Sequence, residues 1–336
     1  MSETHLFHVA ADGRMTRFGT FGELLANLRE GGYAWVDCFD PAKDDLLTLV
    51  EPFGLHPLSI EDCLDENQVP KIEDFPTNTF VLFNSYRLED GALAVEEADF
   101  ILGRNFLVTV TGHSGGRLRF HEKLPDTVAL DPAGAGQGPD YLLHVLLDYV
   151  VDRKMAVIEA VQDEIDAAED GILQQAPADS PQTLTRLRRL LLSLRKSLFH
   201  EREILVKICR RDSPYISEKA IYHFRDIYDH LAKYYEAVEI GREMITDLMS
   251  MHLSLVNNRM AKVANRTNAT VRRLTLITTV FMPLTLLAGI GGMSEWTMMT
   301  GQENWRVAYP LFLAGMAAIG ALSYRLLKRA EGRKGA

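Results

Sequence analysis

The chain has 336 residues, 47% of them hydrophobic and 24% charged, with a formal net charge of −10. That length allows a sizeable core in one large or two modest domains, and the acidic balance argues against nucleic acid as a partner. A mean hydropathy of −0.06 excludes a protein made mainly of membrane spans and leaves room for a few. Three cysteines, Cys38, Cys63 and Cys209, lie far apart with no C-x-x-C spacing, which argues against a disulfide scaffold or thiolate zinc site and fits a reducing compartment.

The N-terminal stretch MSETHLFHVAADG lacks a basic start followed by an apolar run, so no cleaved signal peptide is expected. Short apolar runs then alternate with turn signals. FGELLANLRE (21–30) and HPLSIEDCLD (56–65) are predicted helices. YAWVDCF (33–39), TFVLFNSYRL (79–88) and ADFILGRNFLVTVTG (98–112) are predicted strands, the last divided into a hairpin by Gly103-Arg104-Asn105. Mixed strands and helices predict an α/β layer, closed by the Gly- and Pro-rich stretch DPAGAGQGPD (131–140). From Tyr141 the apolar residues recur at three- and four-residue steps, predicting helices over 141–173 and 183–211 with a polar turn between them that holds Pro177 and Pro181. A third helix begins near Glu218 and meets no strong breaker before Pro283, with Gly241 a weak point. Carried to Ile290 it covers 73 residues, about 110 Å at 1.5 Å per residue, a length that needs packing partners.

Charge divides the chain unevenly. Of 36 basic and 46 acidic residues, 11 basic and only three acidic ones lie from Asn258 onward, a net +8; upstream the balance is 25 to 43, a net −18. The basic tail holds two uncharged runs, 21 residues between Arg273 and Glu295 and 18 between Arg306 and Arg325. Both reach the length of roughly 17–20 apolar residues that crosses a bilayer. Two buried core helices are the competing reading, disfavoured by the missing charges and by the flanks. Trp296, Trp305 and Tyr309 cluster in or beside the connection, where interfacial rings belong. Arg259, Lys262, Arg266, Arg272 and Arg273 precede the first run, and Arg325, Lys328, Arg329, Arg333 and Lys334 follow the second. The connection carries Arg306 against Glu295 and Glu303, so the positive-inside rule predicts both termini in the cytoplasm.

Polar residues just before and inside the first run point to an aqueous path. Asn258-Arg259 recurs seven residues on as Asn265-Arg266, and Asn257, Asn258, Asn265 and Asn268 would form either solvated stalk surface or amide rings around an axis. Thr278 and Thr285 are seven apart on one stripe; each either bonds back to its own helix or faces a pore.

The stretch RLTLITTVFMPLTLLAGIGGMSEW (273–296) resembles the first span of the CorA-type divalent metal ion transporters, which ends there in Gly-Met-Asn; here the triplet is Gly292-Met293-Ser294. ENWRVAYPLFL, HPLSIEDCLDENQVPKIEDF (56–75), FILGRNFLVTV (100–110), LLDYVVDRKMAVIEAVQDEID (146–166) and FRDIYDHL (224–231) are similar to further parts of the family in the same order. The resemblance implies an α+β membrane protein: a funnel-shaped homopentamer with an N-terminal cytoplasmic α/β domain, long stalk helices and two C-terminal transmembrane helices per subunit. The expected organisation is an α/β domain over 1–135, a helical stalk over 140–270, a pore-lining helix over 271–293, an outer loop over 294–306, a second span over 307–325 and a basic tail over 326–336, in the cell inner membrane.

By the same resemblance Asn268, Val271, Leu274, Thr278, Met282, Thr285, Gly289, Gly292 and Ser294 would face the axis, with Met293 in the signature triplet. Glu295 and Glu303 would gather cations at the outer mouth, and Asp226 would be a regulatory metal ligand; Asp229 and His230 stand near it on the helix. The expected cargo is Mg2+ or Co2+, with Zn2+ or Ni2+ left open because serine replaces the family asparagine. A zinc transporter of the related ZntB type, with or without proton coupling, and a non-conducting membrane-anchored sensor are the alternatives. An enzyme is not expected: G-x-x-x-x-G-K-[ST], H-E-x-x-H and G-x-S-x-G are all absent, and none of the 10 histidines forms an i, i+4 pair.

Overall fold

A computed structural model of the chain describes residues 2–65, 68–89, 91–174, 181–293, 298 and 301–332. The chain divides into two units, Met1–Ser250 and Met251–Ala336.

The first unit is built on a seven-stranded sheet. Its strands are β1 (Glu3–Val9), β2 (Met15–Phe18), β3 (Tyr33–Phe39), β4 (Ile72–Asp74), β5 (Thr79–Glu89), β6 (Ala92–Leu102) and β7 (Phe106–Thr111). They pair in the order β2-β1-β3-β7-β6-β5-β4, antiparallel throughout except for β3 and β7. Every residue of β3 and β7 is buried, as expected of a central strand pair covered on both faces.

On one face Leu6, Ala34, Val36, Cys38, Val108 and Val110 pack under α1 (Phe21–Leu28), α2 (Lys43–Leu47), α3 (Val50–Phe53) and α4 (Pro57–Leu64). Thr20 caps α1 by accepting from the Glu23 amide, and Pro57 opens α4 at a position where its missing N–H costs nothing. On the other face lies the long helix α7 (Pro139–Leu173), which packs against β5; the short α5 (Leu124–Leu130) and α6 (Pro132–Ala135) precede it. The strands β1, β2 and β4 and the helices α2, α3, α5 and α6 were not legible as apolar runs: β2 and β4 are edge strands of four and three residues, and β1 carries His5 and His8.

Helix α8 (Pro181–Cys209) and the first part of α9 (Ile221–Gly291) complete this unit, each with one buried stripe at helical spacing. The predicted weak point Gly241 is instead a site of close approach. A Cβ there would lie 3.3 Å from Ile165 and 3.4 Å from Leu191, so three helices meet where the side chain is smallest.

The second unit holds the rest of α9 and α10 (Trp305–Gly332), which follows a 3-10 turn at Gln302–Asn304. Leu276, Val280, Leu284, Leu287 and Gly291 form a half-buried stripe on α9, and Ala308, Phe312, Met316, Gly320, Ser323 and Leu327 form one on α10. Gly291 lies against the Phe312 ring and Gly320 against Leu284, so the two helices pack together there. No residue in the most apolar 18-residue window of either helix is buried within the chain. Core helices of a soluble protein would be covered by their own chain, so these two need another apolar environment.

Candidate ion path and metal-binding residues

The stripe of α9 that meets α10 leaves the opposite side of the helix uncovered. At 100° per residue, a position two further on lies about 200° round. Thr278, Met282 and Gly289 stand in that relation to Leu276, Val280 and Leu287. Of the residues expected to face an axis, Asn268, Val271, Leu274, Thr278, Met282, Thr285, Gly289 and Gly292 are all exposed, as is Met293 of the signature triplet. A shallow groove follows this side, lined by Thr278, Met282, Thr285, Gly289 and Met293 among others. A Cβ added at Gly289 would meet nothing within 4 Å, whereas one at Gly291 would strike Phe312 at 2.6 Å. The two glycines therefore have different tasks: Gly291 admits α10, and Gly289 leaves backbone accessible on the uncovered side.

The threonine hydroxyls do bond back to their own helix. Thr278 Oγ1 donates to Leu274 O, and Thr285 Oγ1 donates to Phe281 O at 2.9 Å. This does not remove them from ion chemistry. A hydroxyl whose proton is held by the helix turns only lone pairs outward, so it acts purely as an acceptor. Ser294 and Glu295 lie outside the described residues; Glu303 is exposed in the turn before α10.

Near the start of α9, Asp148 and Asp152 of α7 and His230 of α9 bring three ligand atoms within 4.8 Å of one another. Asp226, one turn before His230, acts electrostatically on Asp148 and His144. Burial, and then the neighbouring Asp152, raise the Asp148 carboxyl above its ordinary value. Two carboxylates and an imidazole so close favour an added cation, which would relieve their mutual repulsion. Asp148 and Asp152 were missed as ligands, although their i, i+4 spacing in LLDYVVD places them on one helix face. Beside them His144 is held well below its usual range, at about 4, by burial and by His223.

A second unpredicted pair is fully buried. Lys154 Nζ donates to Glu201 Oε1 at 2.7 Å and also to Asn84 O. The same carboxylate oxygen accepts from Asn84 N at 3.0 Å and Ser197 Oγ at 3.2 Å. Burial pushes the lysine down and the glutamate up, and each charge opposes the other's shift. The pair joins β5, α7 and α8, and its place in the packing marks it as structural.

A mixed-sheet domain with long helices, followed by two helices that require a membrane and present an uncharged hydroxyl- and glycine-bearing side, defines a membrane transport protein. Comparison with known proteins makes the class specific. Residues 30–329 match the family described as CorA-like Mg2+ transporter protein. The chain belongs to the CorA family. It is 32% identical over 308 residues to the cobalt/magnesium transport protein CorA of Thermotoga maritima, covering 88% of this chain and 82% of that protein. Its fold matches the complete CorA magnesium transporter of Methanocaldococcus jannaschii with a TM-score of 0.70 at 20% identity, over 97% of each chain. The cytoplasmic domain of ZntB from Vibrio parahaemolyticus matches with a TM-score of 0.60 at 9% identity, over 76% of this chain and 98% of that one. The last two likenesses concern the fold.

Proposed function

We propose that this chain transports divalent metal cations across a membrane, Mg2+ and Co2+ foremost, through an axial pore formed by five copies. The observation that carries this reading is the uncharged, exposed side of α9 that bears Thr278, Thr285 and Gly289 opposite the stripe covered by α10. In the assembly, residues 1–135 and 140–270 form the cytoplasmic domain and stalk of each subunit. Residues 271–293 line the path, 294–306 connect on the outer side, 307–325 form the outer ring, and 326–336 return to the cytoplasm at the inner membrane.

The chemistry suits a hydrated ion. Mg2+ holds its water tightly, and a wall without carboxylates cannot replace that shell with charge. The hydrated ion points water hydrogens outward, so a wall of acceptors fits it. Back-bonded Thr278 and Thr285 and carbonyls near Gly289 and Gly292 are acceptors of this kind, and the Ser294 hydroxyl would add another. Asn268 would begin the path at its cytoplasmic end, and Val271, Leu274 and Met282 would make apolar constrictions able to gate by dewetting. Glu295 and Glu303, repeated fivefold, would concentrate cations outside. An inside-negative potential favours entry by about 2.3 kcal/mol per charge per 100 mV, twice that for a divalent ion. The Asp148, Asp152 and His230 cluster, with Asp226 beside it, would bind intracellular metal and favour the closed pore.

Uptake into proteoliposomes, with Mg2+, Co2+, Ni2+ and Zn2+ offered separately under an inside-negative potential, tests the proposal. Influx of Mg2+ and Co2+ without a proton gradient is expected. Flux of Zn2+ alone that requires a proton gradient would favour the ZntB-type reading, and silence toward every cation would favour the sensor.

A further inference from the structure

The antiparallel pairing of β1 with β3 sets His5 opposite Asp37 and Glu3 opposite Phe39, and thereby puts Glu3, His5 and Asp37 on one face of the sheet. His121, from the segment between β7 and α5, reaches the same face. Its Nδ1 stands 2.8 Å from Asp37 Oδ2, and its backbone N–H donates to that oxygen at 3.2 Å. Asp37 is fully buried, and its other oxygen accepts from Thr109 Oγ1 at 2.6 Å; Thr109 in turn accepts from Trp35 Nε1 at 3.1 Å. A carboxylate held this way accepts a hydrogen bond from Nδ1–H of the imidazole, and the tautomer it favours carries its lone pair at Nε2.

That lone pair belongs to a group of three. His121 Nε2 lies 3.9 Å from Glu3 Oε2, and His5 Nε2 lies 3.6 Å from the same oxygen, buried and without a hydrogen bond. All three ligand atoms fall within 4.8 Å of one another. Around a tetrahedral ion with bonds of about 2.1 Å, ligand atoms stand roughly 3.4 Å apart, so each histidine nitrogen is within about half an ångström of the required separation from Glu3 Oε2. The geometry points to a transition-metal site in the cytoplasmic domain: Glu3 Oε2, His5 Nε2 and His121 Nε2 as ligands, a water as the fourth, and Asp37 as the positioning residue behind His121.

Two imidazoles and one carboxylate suit Zn2+, Co2+ or Ni2+. Mg2+ demands six hard oxygens and is excluded by the same donor set. Two cations must be accommodated. Arg119 Nη1 donates to Glu3 Oε2 at 2.8 Å while its guanidinium stacks over Phe39, so it lowers the affinity without filling the ligand position. Arg17 contacts Nδ1 of His5, which must carry the proton once Nε2 holds a metal. Arg17 is exposed and can turn to water. The site differs from the Asp148 cluster in residues and in metal preference, and binding at it requires neither a membrane nor flux.

The test is equilibrium binding of Zn2+ to the full chain in detergent, with millimolar Mg2+ present to occupy oxygen-rich sites. The site predicts one Mg2+-resistant Zn2+ per protomer in the wild type and in His230→Ala. Its affinity should fall at least about tenfold in both His5→Gln and His121→Gln. Bound Co2+ should show the strong visible absorption of tetrahedral coordination, lost in the same two variants. Two variants on different elements guard against a folding defect in one, and thermal melting without metal checks each. Stoichiometry and affinity unchanged in both variants, or displacement of all bound Zn2+ by Mg2+, overturns the proposal.

Discussion

Lys154 sits on the buried stripe of α7, four residues from Val150 and from Ile158, where a lysine survives only if its charge is answered. Removing one partner strands the other in a medium that cannot solvate it. Lys154→Met should therefore cost about 3–5 kcal/mol, whereas Lys154→Met with Glu201→Leu should cost clearly less than the sum of the single changes; denaturant melts of the four proteins measure the difference. His144 gives a pH dependence. Its unfolded form titrates near 6.5 and its folded form near 4, so between these values the unfolded chain holds more protons. The neutral folded imidazole costs nothing above pH 6.5, and stability falls as the pH drops from 6.5 toward 4. His144→Gln should flatten that part of the Tm-against-pH curve. Serine at 294 is the residue at which this chain departs from the Gly-Met-Asn pattern, and a hydroxyl lacks the paired donor and acceptor of an amide. Ser294→Asn should change the relative uptake rates of Mg2+, Co2+ and Zn2+; identical rates would remove Ser294 from any selectivity role.

Among the elements, α9 does two jobs on two faces. One face is shaped to receive α10, and the contact between Gly291 and Phe312 leaves no space for a side chain. Gly291→Val should force the helices apart and reduce metal uptake, and Phe312→Ala in the same chain should restore part of it by freeing the volume of the ring; proteoliposome uptake of the two variants is the readout. The length and spans of α9 were readable because helical period and lack of charge are local properties. The structure runs this helix over Ile221–Gly291, against an expected start near Glu218 and end near Ile290. Strand β6 starts at Ala92, six residues before the predicted run at Ala98, because its first half pairs with the end of β5 while carrying exposed residues, Ala92 and Val95, and the charged Glu96 and Glu97. Apolar alternation marks strands that face a core on at least one side, and this half of the hairpin does not show it.

For the molecule as a whole, pentameric assembly and metal sensing are linked in the proposal. Native mass spectrometry of the detergent-solubilised protein should give a particle of five 37.8 kDa chains. Millimolar Mg2+ should raise its melting temperature and slow its proteolysis, and Asp148→Asn with His230→Ala should abolish that protection while the particle stays pentameric.

The amino-acid sequence alone determined the two membrane-length helices and the family, because hydrocarbon-length runs and contiguous motifs are written along one dimension. Tertiary structure decided which scattered groups meet. No i, i+4 histidine pair exists, yet His5 reaches His121 through the register of β1 on β3, and His230 reaches Asp148 and Asp152 through the packing of α9 on α7. It also decided which side of α9 is covered by α10, and that Lys154 finds Glu201. Each of these depends on contacts between residues far apart in the chain, set by sheet register and helix packing, which local periodicity does not encode.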